Sequence, residues 1–129
     1  MAASFLPVLT VGLGLAAFVM AGRPAIAAVN CETAVESADL LTCAQIDLEA
    51  AEKRIAALER KTIGSLRPNG HGVFSKAQET WRAWRDAECA WNAYDIDTGN
   101  SDALILATCR ADMTLTRTDE LESALEIIH

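Results

Sequence analysis

Histidine, basic charge and alternating polarity are all scarce in this chain, and each shortage closes off a class of function. Two histidines occur among 129 residues: His71, in a glycine-rich stretch, and His129, the last residue. Neither stands in a pattern that would set an imidazole beside a nucleophile. A Ser-His-Asp or Cys-His arrangement therefore has no residues to draw on, and no enzyme activity is expected. Eleven Lys and Arg face 18 Asp and Glu, a net charge of −7. Nucleic acid and anionic membrane surfaces require a basic footprint, so neither is an expected partner, whereas a basic protein is compatible. No segment alternates apolar and polar residues over a useful length, which argues against a sheet. Internal repeats and low-complexity segments are missing as well.

Charge is missing altogether from side chains 1–22, which are mostly apolar and are followed by Arg23-Pro24-Ala25-Ile26-Ala27-Ala28. This pattern predicts a secretory signal peptide over residues 1–27 with an Ala-x-Ala cleavage site ending at Ala27. The same run, if retained, is long enough to anchor in a bilayer. Pro7, Gly12 and Gly14 weaken it as a helix, and the small residues before Ala28 favour cleavage. Cys31 follows Ala28-Val29-Asn30, which is not a lipid-attachment sequence. The expected mature chain, residues 28–129, is one domain by length, keeps all 18 acidic residues and loses only Arg23, for a net charge of −8. Its expected location is periplasmic or secreted, with no membrane attachment once the signal is removed.

All four cysteines, Cys31, Cys43, Cys89 and Cys109, fall after Ala27. An even number in an exported chain reads as two disulfides. Spacings of 12, 46 and 20 provide no paired C-x₂-C motif for zinc. Cys89 and Cys109 stand ten residues either side of Gly99, inside the turn-rich string Asp95-Ile96-Asp97-Thr98-Gly99-Asn100-Ser101. In an antiparallel helical hairpin, positions equidistant from the turn face each other. The expected pairs are therefore Cys89 with Cys109 and, by elimination, Cys31 with Cys43. The aspartates of the turn resemble a calcium loop only briefly. With Asp95 at position 1, Gly99 falls where a ligand belongs and Leu106 where a Glu belongs. No cofactor or metal is expected.

Capping boxes at Thr33/Glu36 and Thr42/Gln45 predict a short helix over about residues 34–41 followed by a longer one. In the longer helix Leu41, Ala44, Leu48, Ala51, Ile55, Leu58 and Thr62 form a heptad-like seam. Gly64, Pro68, Gly70 and Gly72 predict a flexible link carrying Arg67 and His71, ended by a Ser75/Gln78 capping box. From there Phe74, Ala77, Trp81 and Trp84 recur at helical spacing as an expected core face, with Trp91 and Tyr94 beyond Cys89 and partly exposed. A last helix, capped by Asn100, Ser101 or Asp102, buries Leu104, Ala107, Ala111, Leu115, Thr118, Leu121, Leu125 and Ile128. The expected fold is all-α: a small disulfide-stapled bundle of three main helices in up-down-up order plus a short N-terminal helix, after a signal peptide. Arg85 and Asp86 are expected to form an ion pair linking helices, with Arg117 as a partner for Asp86 or Glu88.

The residues Ala77, Gln78, Trp81, Trp84, Arg85, Asp86 and Cys89, then Cys109, Arg117 and Leu121, together with the opening pair Cys31 and Cys43, resemble the N-terminal domain of the lysozyme inhibitor LprI family. The resemblance spans about residues 31–125; the Gly-Pro-rich piece 64–72 departs from it. It implies that residues 28–129 are a domain of that type, a binding protein that blocks lysozyme by protein–protein contact. An acidic inhibitor of a basic lysozyme gains association rate by electrostatic steering. The 67–72 link, with Arg67 and His71 at its tip, is the expected partner-binding element, inserted into the enzyme's glycan cleft. The alternative is a non-enzymatic structural or stress protein of the cell envelope with no lysozyme target.

Overall fold

A computed structural model describes residues 28–128, with three helices: α1 (Ser37–Ser65), α2 (Pro68–Asn92) and α3 (Ala103–Ile128). The expected signal peptide and His129 lie outside the described residues.

α1 is continuous where a break at Thr42 was expected. The Thr42 hydroxyl donates to the Ala38 carbonyl one turn back, 2.9 Å away, and so serves the helix interior instead of capping a new start. Residues 31–33 form a turn, and the first helical residue is Ser37. The Cys31–Cys43 disulfide ties that turn to the early part of α1.

The glycine-rich link is also shorter than expected. Arg67 precedes a proline and is therefore pushed to extended backbone, which stops the chain from continuing helically out of α1. Leu66 and Arg67 are both extended, and Pro68 then begins α2 in the first turn, where its missing N–H costs nothing. Gly70 and Gly72 are helical, so the expected flexible tip is a two-residue corner and Ser75 is interior to α2.

Between α2 and α3, Asp95 Oδ1 accepts the backbone N–H groups of Asp97 (2.8 Å) and Thr98 (3.1 Å). Gly99 takes the left-handed conformation, φ 70°, that closes this turn. Asp102 is the residue that caps α3, accepting from the N–H groups of Leu104 and Ile105.

The order is up-down-up. Gln78 and Arg82 reach Glu59 while the later Arg85 reaches the earlier Glu52, so α1 and α2 run in opposite directions. α3 lies parallel to α1, with Arg54 reaching Asp119 and Glu122. The α1–α3 packing is the main one, and α2 leans on α3 far more than on α1. Buried Ala44, Ala51 and Ala111 line the groove between α1 and α3, and the larger side chains Ile55, Leu58, Leu121 and Leu125 form the core cluster, flanked by Phe74 and Trp81. Few large side chains are enclosed, so covalent staples matter to a core of this size. Both expected disulfides are present, Cys31–Cys43 and Cys89–Cys109, each with a Cα–Cα separation of 5.6 Å.

Candidate functional site

On α2 the inward column is Phe74, Gln78, Trp81, Arg85 and Cys89, at spacings of four, three, four and four. Ala77 is exposed and Trp84 is 55% exposed, so both leave the expected core face. Two polar residues, Gln78 and Arg85, take inward places, and they can do so because every nitrogen and oxygen of each side chain has a hydrogen-bond partner.

Arg85 donates to Glu52 on α1 (2.6 Å), to Thr114 on α3 (2.7 Å) and to Asp86 beside it (2.9 and 3.1 Å). The expected helix-linking role of Arg85 is met, but the partner that links α1 is Glu52. Gln78 donates its amide to Glu59 at 2.7 Å, and Glu59 also receives Arg82. The Gln78 oxygen accepts from Arg117, which also pairs with Glu120. Arg117 therefore meets neither Asp86 nor Glu88. The cation reaching Asp86 from α3 is Arg110, whose Nε lies 3.2 Å from Oδ1 without hydrogen-bond alignment. The Arg85 and Arg117 guanidiniums lie over the Trp81 ring, 5.3 and 5.9 Å from its centre.

This motif is a polar clamp across three helices. Long side chains bridge the gap between α2 and α1 that direct packing leaves open. Glu52, Glu59, Arg82 and Thr114 belong to it and carried no apolar signal. The available clue was that Glu52 and Glu59, seven residues apart, fall on one side of α1, and Arg82 and Arg85, three apart, on one side of α2.

The expected binding tip is rearranged. Arg67 is exposed at the corner, but His71 is helical, half-buried and bonded through Nε2 to the Leu66 carbonyl at 3.2 Å. A second outward surface lies toward the other end of α2. Trp91 is 72% exposed, Tyr94 51% and Ile96 85%. Trp84 lines a shallow cleft of about 250 Å³ with Trp81, Asp112, Met113, Thr116, Arg117 and Glu120. In the adjoining turn, the N–H groups of Thr98 and Asp97 hold the Asp95 carboxyl below its ordinary value. Among the described residues no cluster of His, Cys, Asp and Glu could hold a metal ion, and no helix is long and apolar enough to cross a membrane.

Gln78, Trp81, Arg85, Asp86 and Arg117 of this clamp, with the four cysteines, are among the residues that resemble lysozyme inhibitors, and a family model described as "Lysozyme inhibitor LprI" matches residues 28–121. The chain belongs to the LprI family. A protein of Rhizobium meliloti described as uncharacterized is 28% identical over 110 residues, covering 75% of this chain and 79% of that one. No solved structure matches. The LprI match takes in both disulfides and every residue of the clamp.

Proposed function

We propose that this LprI-family chain is an exported protein that binds a lysozyme and blocks it by protein–protein contact. The observation that carries the reading is the family match over residues 28–121. Two disulfides support export, since such bonds persist in oxidising compartments, periplasmic or extracellular. An acidic chain and a basic enzyme would attract each other before contact. Blocking requires no chemistry from the inhibitor, in keeping with a clamp whose polar groups are spent on one another.

A second reading is favoured by one observation: Gln78, Trp81, Arg85, Asp86 and Arg117 all make contacts within the fold. Residues that hold a bundle together identify the bundle and not its target. A structural or stress protein of the envelope would need the same clamp. The deciding experiment adds the exported, oxidised protein to cell-wall lysis assays with lysozymes of several classes. Inhibition at micromolar concentration supports the lysozyme reading; none with any class leaves the envelope protein.

A further inference from the structure

We infer that the outward side of the C-terminal half of α2, formed by Trp84 and Trp91 with Tyr94 just beyond, is the surface that docks a basic protein partner. The partner's identity as a lysozyme rests on the proposed function; the location of the surface rests on the exposure of its aromatics, the rigidity of the backbone beneath them and the charge around them.

Trp81 shows what a tryptophan of the fold looks like here: it packs on the core cluster and lies under two guanidiniums. Trp84, Trp91 and Tyr94 are each more than half exposed. Trp84 and Trp91 are seven residues apart, which returns them to the same side of the helix about 10 Å apart along its axis. Large aromatics gathered on one exposed side mark an interaction surface, and Trp and Tyr are the residue types that most often carry binding energy.

The backbone beneath them is held. Cys89, two residues before Trp91, is disulfide-bonded to Cys109 on α3. The Tyr94 N–H donates to the Trp91 carbonyl, and Tyr94 pairs with Ser101 across the turn. A surface fixed in advance loses little freedom on binding.

Charge selects the partner. Glu88 lies between the two tryptophans in the chain, Asp95 and Asp97 follow Tyr94, and Asp112 lines the Trp84 cleft. None of the four is in an ion pair among the described residues, and Arg117, the cation that also lines the Trp84 cleft, is paired with Glu120. Arg and Lys from a basic protein would meet carboxylates and aromatic faces together. The opposite corner carries exposed Arg60, Lys61 and Arg67 and would repel the same partner. A second copy of this chain is disfavoured by the same logic, since a two-fold contact would set these carboxylates against their equivalents.

The test uses the exported, oxidised protein and a basic egg-white lysozyme as probe, with binding rates measured at several salt concentrations. The double variant Trp91→Ala/Tyr94→Ala is expected to weaken binding by about tenfold or more through faster dissociation, with an unchanged melting temperature. Glu88→Lys/Asp112→Lys should slow association and flatten its salt dependence. Arg67→Ala and His71→Ala should bind as the parent does. Parental affinity in the aromatic double variant together with loss in Arg67→Ala would move the contact to the corner and overturn the inference alone. Sedimentation showing a parent dimer that Trp91→Ala splits would assign the surface to a second copy, and also overturn it. Failure of the parent itself to bind any basic lysozyme would instead remove the functional reading, and the assigned partner with it.

Discussion

Arg117 on α3 donates two hydrogen bonds, from Nε at 3.0 Å and Nη2 at 2.7 Å, to the one side-chain oxygen of Gln78 on α2. The Gln78 amide nitrogen donates in the opposite direction, to Glu59 on α1. A neutral amide is suited to this place because it accepts from a cation and donates to an anion at the same time.

Gln78→Leu should therefore destabilise the bundle by about 1.5–3 kcal/mol, the range for hydrogen bonds to charged partners. Gln78→Glu keeps the acceptor for Arg117 but sets a second carboxylate against Glu59 at neutral pH. Its penalty should shrink as pH falls through the carboxyl range and the new group can donate a proton to Glu59. Urea melts of both variants at pH 7 and pH 4 test this. A Gln78→Glu penalty that grows on acidification would contradict the assigned donor and acceptor roles.

Thr114 and Thr118 are both fully buried on α3, yet their hydroxyls differ in consequence. Thr118 donates only to the Thr114 carbonyl within its own helix, whereas Thr114 also accepts from Arg85. Thr114→Val should cost about 1–3 kcal/mol by leaving part of a buried guanidinium unpaired, and Thr118→Val less than about 1 kcal/mol. The comparison is read as a shift of the urea midpoint at constant slope. Equal losses would mean that the Arg85 contact adds nothing at this position.

Periodicity made much of this architecture legible, and its failures share one cause. On α1 the heptad seam places Ala44, Ala51, Ile55, Leu58 and Thr62 inside, and all five are buried. On α2 the same logic prefers Trp84 to Arg85, because a pattern search sends apolar residues inward and cannot see that Glu52, Asp86 and Thr114 wait for a guanidinium. On α3 it takes Leu115 over Thr114, whose hydroxyl is already satisfied by the carbonyl of Arg110. The Cys89–Cys109 pairing was legible because it depends only on equal distance from a turn, and Cys31–Cys43 followed by elimination. The corner at Arg67 was not, since glycines tolerate helix and linker alike, and Pro68 can begin a helix as readily as follow one.

The tryptophans separate packing from surface display. Trp81→Ala removes a ring that packs on the core cluster and stacks with Arg85 and Arg117, and should cost about 3–5 kcal/mol. Trp84→Ala removes a mostly solvated ring and should change stability by less than about 1 kcal/mol. Thermal melts followed by circular dichroism decide between them. Comparable losses would place Trp84 in the core after all.

The two disulfides should contribute unequally. In chain-entropy terms they are close, because loops of 20 and 12 residues differ by only about 0.5 kcal/mol in closure cost. What they fasten differs. Cys89 is fully buried and its bond fixes α2 to α3, closing the loop that carries Tyr94, Asp95 and Gly99. Cys31 is exposed and lies before α1, so its bond secures a turn that adds no residue to the core cluster. Replacing Cys89 and Cys109 together by Ala should lower global stability by about 2–5 kcal/mol. Replacing Cys31 and Cys43 should cost distinctly less and appear mainly as lost amide protection in the first turns of α1. Hydrogen exchange measured on both variants checks the ranking. Its reversal would mean that the N-terminal turn supports the bundle more than its exposed position allows.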